Sequence, residues 1–195
     1  MPYPAKINRE KILKHGLRIV EKDGLEALSL RAIARRLKVA VNALYHYFPD
    51  RKALESAIAA EGYRVLRSSL AETSSGAHAA ARLQAFCKRY LRFARSHRRL
   101  FELMSRKRPP KSELAAIGAE LTSLMAEMRG SKPGKDCAAE KAFMVQAMLQ
   151  GIIAAEQQTR SSIPASYIDF AIARVISGIT RTPRMKKHSL KSRMR

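Results

Sequence analysis

The chain of 195 residues has no tryptophan, only 6% aromatic residues, and 16 acidic side chains against 38 Lys and Arg. Strand-like alternation is hard to find, whereas Ala, Leu, Lys, Arg and Glu abound, so an all-α fold is the economical expectation. The two cysteines, Cys87 and Cys137, lie far apart and form no CxxC pattern. They read as reduced, partly buried thiols in preference to a disulfide or a metal pair. No stretch of about 18 apolar residues occurs. The N-terminal MPYPAKINREKIL has neither an apolar core nor a cleavage site, and the expectation is a soluble cytoplasmic protein with no membrane partner. GxGxxG, GxxxxGK[ST] and HExxH are all missing, and His15, His46, His78, His97 and His188 are scattered. No catalytic group, no metal ligand and no cofactor is therefore expected.

What is present is positive charge: the formal net charge is +22 and the pI near 10.7. Such a balance favours polyanionic partners, although excess charge can also serve solubility alone. The 46% hydrophobic content suffices for a core in one large or two small domains.

The most informative stretch is SLRAIARRLKVAVNALYHYFPDRKAL, from Ser29 to Leu54. Leu30, Ile33, Ala34 and Leu37 recur at helical spacing, Ser29 can cap that helix, and Arg31, Arg35 and Arg36 fall on its other face. A second short helix over residues 41–48 turns Leu44 and Phe48 inward and leaves Asn42, Ala43, Tyr45, His46 and Tyr47 outside; Pro49 ends it and Asp50 caps the next. A short helix exposing an amide and two phenols suits a DNA major groove. Asn bonds an adenine edge bidentately, Ala meets a thymine methyl, and hydroxyls or cations take phosphates. The pattern reads as a helix-turn-helix with residues 41–48 as recognition helix.

The succession SLRAIARRLKV, then ALYHYFPDRKAL, resembles the N-terminal domain of the TetR-like transcriptional regulators. Ser29, Ile33, Ala34, Leu37, Val39, Leu44, Tyr45, Phe48 and Arg51 match or conservatively replace that family's pattern, which covers residues 7–66. Lys38 stands where the family usually has Gly, which demands positive φ of a non-Gly residue; Ala40 replaces the usual Ser cap, and Tyr47 the usual His. The candidate DNA-contacting set is Ser29, Arg31, Val41, Asn42, Ala43, Tyr45, His46, Tyr47 and Arg51.

Taken in order, residues 1–7 read as a loose arm whose Lys6, with Arg9, reaches towards DNA, and Asn8 caps a first helix that stops at Gly24. A fourth helix runs from Asp50 towards Leu70 and leaves the small domain as a connector. Thr73-Ser74-Ser75-Gly76 marks a boundary. The domains expected are a DNA-binding unit over residues 1–66, with the fourth helix continuing to about 72, a helical effector-binding and dimerisation unit over 77–180, and a basic disordered tail over 181–195. In the second unit, apolar stripes begin at Leu83, at Ser112 as a cap, at Asp136 with Phe143, Ala147, Met148 and Ile152 on one face, and at Ile163-Pro164.

The resemblance implies an effector cavity among Phe86, Tyr90, Phe101, Met104, Met125, Phe143 and Met148, for any one of which plain core packing is the simpler reading. It also implies a symmetric homodimer in which the last two helices meet their mates, with Gly151, Tyr167, Ala171, Arg174, Val175 and Gly178 as candidate interface residues. The stretch from Arg82 to Lys111 carries eleven Lys or Arg against Glu102 alone, a pattern that reads first as a solvated surface and second as a site for an anionic effector or for further DNA contact. The function expected is a sequence-specific transcriptional regulator, a repressor released from a palindromic operator by a small molecule. The competing class is a basic nucleic-acid binder with little sequence preference, and an enzyme stands a distant third.

Overall fold

The computed structural model describes residues 7–71, 78–107, 111–128 and 135–181. Among them are nine α-helices, one 3-10 turn and no strand: α1 (Arg9–Asp23), the 3-10 turn (Leu25–Ala27), α2 (Leu30–Leu37), α3 (Val41–Tyr45), α4 (Arg51–Ala71), α5 (Ala79–Ser96), α6 (Arg98–Arg106), α7 (Lys111–Glu127), α8 (Lys135–Thr159) and α9 (Ala165–Arg181). Lys6 of the expected arm, the Thr73–Gly76 break, the side chain of Cys137 and the basic tail from residue 182 lie outside the described residues.

The first helices begin where side chains satisfy their orphan N–H groups. Asn8 Oδ1 accepts from the Lys11 N–H at 2.8 Å, Ser29 Oγ from Ala32 at 3.0 Å, and Asp50 Oδ1 from Ala53 at 2.7 Å. Gly24, at φ +90°, ends α1 by donating its N–H to the Ile19 and Val20 carbonyls. Some boundaries differ from expectation. Helix α7 begins at Lys111, so Ser112 sits inside it and caps nothing; α8 begins at Lys135, one residue before Asp136. Helix α9 begins at Ala165, with the Pro164 carbonyl accepting from Tyr167 and Ile168.

One apolar core runs the length of the molecule. At one end Ile12, Ile19 and Val20 of α1 meet Ile33 of α2, Leu44 of α3 and Leu54 and Ile58 of α4. At the other, Leu66 and Leu70 of α4 continue into Leu83, Phe86, Leu100, Met104, Leu121, Met125, Val145 and Leu149. Each such fully buried aliphatic or aromatic side chain stabilises the fold by about 1.5–3 kcal/mol. Helix α4 is the shared member, packed on α1 in its first half and on α5, α6 and α7 in its second. Gly62 permits the α6 crossing: a Cβ there would stand 2.7 Å from Met104 Sδ and 3.1 Å from Leu100 Cδ1.

Helix α8 corrects one expectation. Its inward face is Ala138, Ala142, Val145, Leu149 and Ile153, spaced by three or four residues. The apolar face expected from sequence splits: Phe143 and Ala147 are exposed, whereas Met148 and Ile152 are half-buried and pack against the core. Phe143 is 72% exposed and cannot line a cavity within this chain.

Candidate nucleic-acid interface

Three residues separate α2 from α3, and their backbone sets the angle at which α3 is presented. Lys38 takes the left-handed conformation (φ 55°, ψ 47°) that its place in the turn demands. Its N–H donates to the Arg35 carbonyl at 3.3 Å and the Val39 N–H to the Ala34 carbonyl at 3.1 Å, which satisfies two of the last carbonyls of α2. Ala40, extended at φ −65° and ψ 136°, opens α3 without a side-chain cap.

Helix α3 is anchored by Leu44 and by Phe48 just beyond it, both buried. Its regular part ends at Tyr45, shorter than the span to Phe48 expected from sequence; the Tyr47 and Phe48 N–H groups both donate to the Leu44 carbonyl at 3.0 Å and close the turn. Asn42, Ala43, Tyr45 and His46 are exposed, with Tyr45 at 46%, and Val41 is half-buried. One short rigid element thus presents an amide, a methyl, a phenol and an imidazole to solvent, a set able to meet base edges and phosphates together. Arg31 is exposed in the first turn of α2, and Ser29 is half-buried with its oxygen accepting from Ala32, which leaves its O–H to donate.

Two side chains sit differently from the sequence expectation. Tyr47 is half-buried, and its hydroxyl donates to the Ile7 carbonyl at 2.9 Å, fastening the residue that precedes the Asn8 cap to the helix-turn-helix. Arg51 braces its own domain: Nε donates to Glu55 at 2.9 Å and Nη2 to the Leu25 carbonyl at 3.0 Å. Beside it Lys52 is exposed and makes no hydrogen bond or salt bridge among the described residues. Lys52 follows Asp50 and Arg51 at the start of α4 and falls outside the set singled out from the sequence.

The surface around α1 and α2 is electropositive. Burial first, then the charges of Arg18, Arg36 and Lys14, depress the His15 pKa below its ordinary value of 6.5, so its ring is neutral at pH 7. The Arg9 guanidinium lies 5.4 Å over the Phe48 ring, and Arg36 pairs with Asp23 at 2.6 Å.

In the second half of the chain Phe86, Tyr90, Phe101, Met104 and Met125 are buried together and Met148 is half-buried. Tyr90 stacks on Phe86 with centroids 6.4 Å apart, meets Phe101 edge-on at 5.9 Å, and accepts from Gln150 Nε2 at 2.9 Å. Burial raises its pKa and pushes the Cys87 thiol up to about 12, so neither ionises at neutral pH. Outside this core, Phe143, Met144, Tyr167 and Phe170 of α8 and α9 are 56–72% exposed. Of the other candidate interface residues Gly151, Arg174 and Gly178 are exposed and Ala171 and Val175 half-buried.

Residues 12–58 match the family of bacterial regulatory proteins described as the tetR family, and residues 83–177 the tetracyclin repressor-like C-terminal domain. The chain belongs to the TetR family of helix-turn-helix transcriptional regulators. It is 30% identical over 156 residues to the HTH-type transcriptional repressor KstR of Rhodococcus jostii, an alignment covering 76% of this chain and 73% of that protein. A protein of unknown function from Rhodococcus sp. RHA1 superposes with a TM-score of 0.73 at 28% identity, covering 91% and 98% of the two chains. BioQ bound to its natural double-stranded operator has the same fold, with a TM-score of 0.65 at 20% identity over 91% and 100%.

Proposed function

We propose that the protein is a homodimeric repressor that holds a palindromic operator with the α3 helices of its two protomers and releases it when a small molecule enters the C-terminal domain. The observation that carries this reading is the display of α3, with Asn42, Ala43, Tyr45 and His46 all outward above the buried Leu44. Asn42 and Ala43 read bases; Arg31, Ser29, Tyr45 and Lys52 position the head on phosphates, with Val41 at the near edge and Tyr47 and Arg51 as braces. The likeness to the KstR repressor supports repression over activation.

The division of labour follows. Residues 1–66 form the reading head with α4 continuing beyond it to about 72, residues 77–180 the effector and dimerisation body, and 181–195 a basic tail; the two family matches, ending at 58 and resuming at 83, support that boundary. The outward apolar face of α8 and α9, with Phe143, Met144, Tyr167 and Phe170, meets its two-fold mate, and an exposed aromatic cluster of this kind supports such an interface. The effector lodges among Phe86, Tyr90, Phe101, Met104, Met125 and Met148, where flexible Met side chains re-pack around a guest.

Coupling runs through α6. Lys107, which follows its last turn, pairs with Glu55 of α4 at 2.7 Å, and the Met104 carbonyl accepts from Tyr63 at 3.3 Å. At its start, His97 meets Glu21 at 2.5 Å, and Arg99 donates to the Glu21 carbonyl at 3.2 Å and to that of Lys22. A guest that favours a displaced α6 therefore favours displaced α1 and α4, and with them a head spacing that no longer fits the operator.

Selection of bound sequences from random duplex DNA tests the proposal. The expected product is a palindrome with half-site centres about 10 bp apart or somewhat more. Enrichment of no sequence would favour the competing reading of a sequence-tolerant basic binder, which rests on the net charge of +22.

A further inference from the structure

A cleft of about 130 Å³ lies where the corner between α5 and α6 meets the end of α8, and its walls are rich in cations. Arg95 and Arg98 line one side, Glu156, Arg160, Ser161 and Ser162 the other. The one carboxylate is already occupied: Glu156 takes two hydrogen bonds from Arg95, at 2.5 and 3.1 Å, and one from the Ile163 N–H at 2.9 Å. Arg98 and Arg160 make no hydrogen bond or salt bridge among the described residues, and neither do the hydroxyls of Ser161 and Ser162. Arg160 is moreover held at φ 54°, a conformation that non-Gly residues adopt only at a cost. That reversal, at the end of α8, carries the guanidinium and the two serines that follow it to the rim of the cleft.

Arg98 acts on Glu156 through its charge alone, without a hydrogen bond, and two guanidinium groups that share the lining of one small cleft with two serines match a tetrahedral oxyanion. The volume is well below the roughly 300–1,000 Å³ of drug-sized ligand sites, so it admits one such group and little more. We propose that this cleft binds a phosphate-like dianion, either free phosphate or the terminal phosphate of a small metabolite, through Arg98, Arg160, Ser161 and Ser162. Arg98 is flanked in the chain by His97 and Arg99, which grip the end of α1, so the bound anion would sit one residue from the contacts between body and head. The site stands independently of the operator reading, because it is measured without DNA.

Isothermal titration of the full chain with inorganic phosphate, a simple phosphomonoester and acetate, at constant ionic strength, tests it. The expected result is saturable phosphate binding at one site per chain, acetate weaker by about 10-fold or more, and a loss of about 10-fold or more in each of Arg98→Gln and Arg160→Gln. Arg160→Gly, which suits the left-handed backbone, should retain the melting temperature and still lose the anion. Tighter binding of the phosphomonoester than of inorganic phosphate assigns the group to a metabolite, and the reverse order assigns it to free phosphate; both support the site. An isotherm unchanged in these variants, or no saturable binding of any phosphate, overturns the proposal.

Discussion

The turn before α3 is held in place against local preference. Lys38 adopts a left-handed conformation that a glycine would take freely, and Ala40 leaves the start of α3 without a side-chain acceptor. Both features should cost stability. Ala40→Ser is expected to raise the unfolding free energy by about 0.5–2 kcal/mol, and Lys38→Gly by up to about 1 kcal/mol, seen as a higher urea midpoint with an unchanged slope. A lower midpoint in both would mean that the turn relies on the native side chains. The strain at Lys38 was legible through the family resemblance, because Lys38 stands where that pattern usually has Gly. The orientation of Tyr47 was not legible. Its hydroxyl partner is the Ile7 carbonyl, forty positions away in the chain, and no local pattern announces that contact.

At the scale of elements, α4 and α6 are tied by the Lys107–Glu55 pair and by the Tyr63 hydroxyl on the Met104 carbonyl. Glu55 is the junction: burial works against its carboxylate, but hydrogen bonds from Lys107 and Arg51, with the charges behind them, leave its pKa below the ordinary 4.5. Glu61 is likewise lowered, chiefly by its hydrogen bonds from Arg64, and Glu156 chiefly by those from Arg95. Each is a group whose folded pKa lies below its unfolded one, so its stabilisation is complete above 4.5 and is lost as pH falls through the lower folded value. The melting temperature should fall slightly as pH drops below 6.5, where unfolded His15 takes up a proton before the folded ring does, and more steeply below about pH 5, where the carboxylates follow. Glu55→Gln should lower it at neutral pH and shrink the acid decline; an identical acid profile in the variant would remove Glu55 from this role. Helix α8 shows where sequence reading stops at this scale. Both of its faces are apolar, so periodicity reveals two stripes without saying which one the chain itself covers. Only the packing of α7 and α8 assigns Val145 and Leu149 to the core and Phe143 to the outside.

For the whole molecule, the order of helices and the helix-turn-helix were legible, because the caps, the turn and the Leu44 and Phe48 anchors are local signals. The charge pattern was misleading. Arg82 to Lys111 looks like an unrelieved basic surface, yet its acids arrive from other elements: Arg82 pairs with Glu127, Lys88 with Asp169, Arg95 with Glu156 and Lys107 with Glu55. Much of that charge therefore braces the fold. If the exposed face of α8 and α9 meets a second copy as proposed, Phe170→Glu should yield a monomer where the wild type sediments as a dimer at micromolar concentration. A variant that sediments as the wild type would place the interface elsewhere.

The central claim is that α3 reads sequence. It is met most directly by equilibrium binding to the selected operator and to a scrambled duplex, at two salt concentrations, for the wild type and Asn42→Ala. The wild type should prefer the operator by at least about 10³-fold at both salts. Asn42→Ala should lose about 1–3 kcal/mol on the operator and nothing on the scrambled duplex. A preference near unity, with both affinities falling alike as salt rises, would contradict the account.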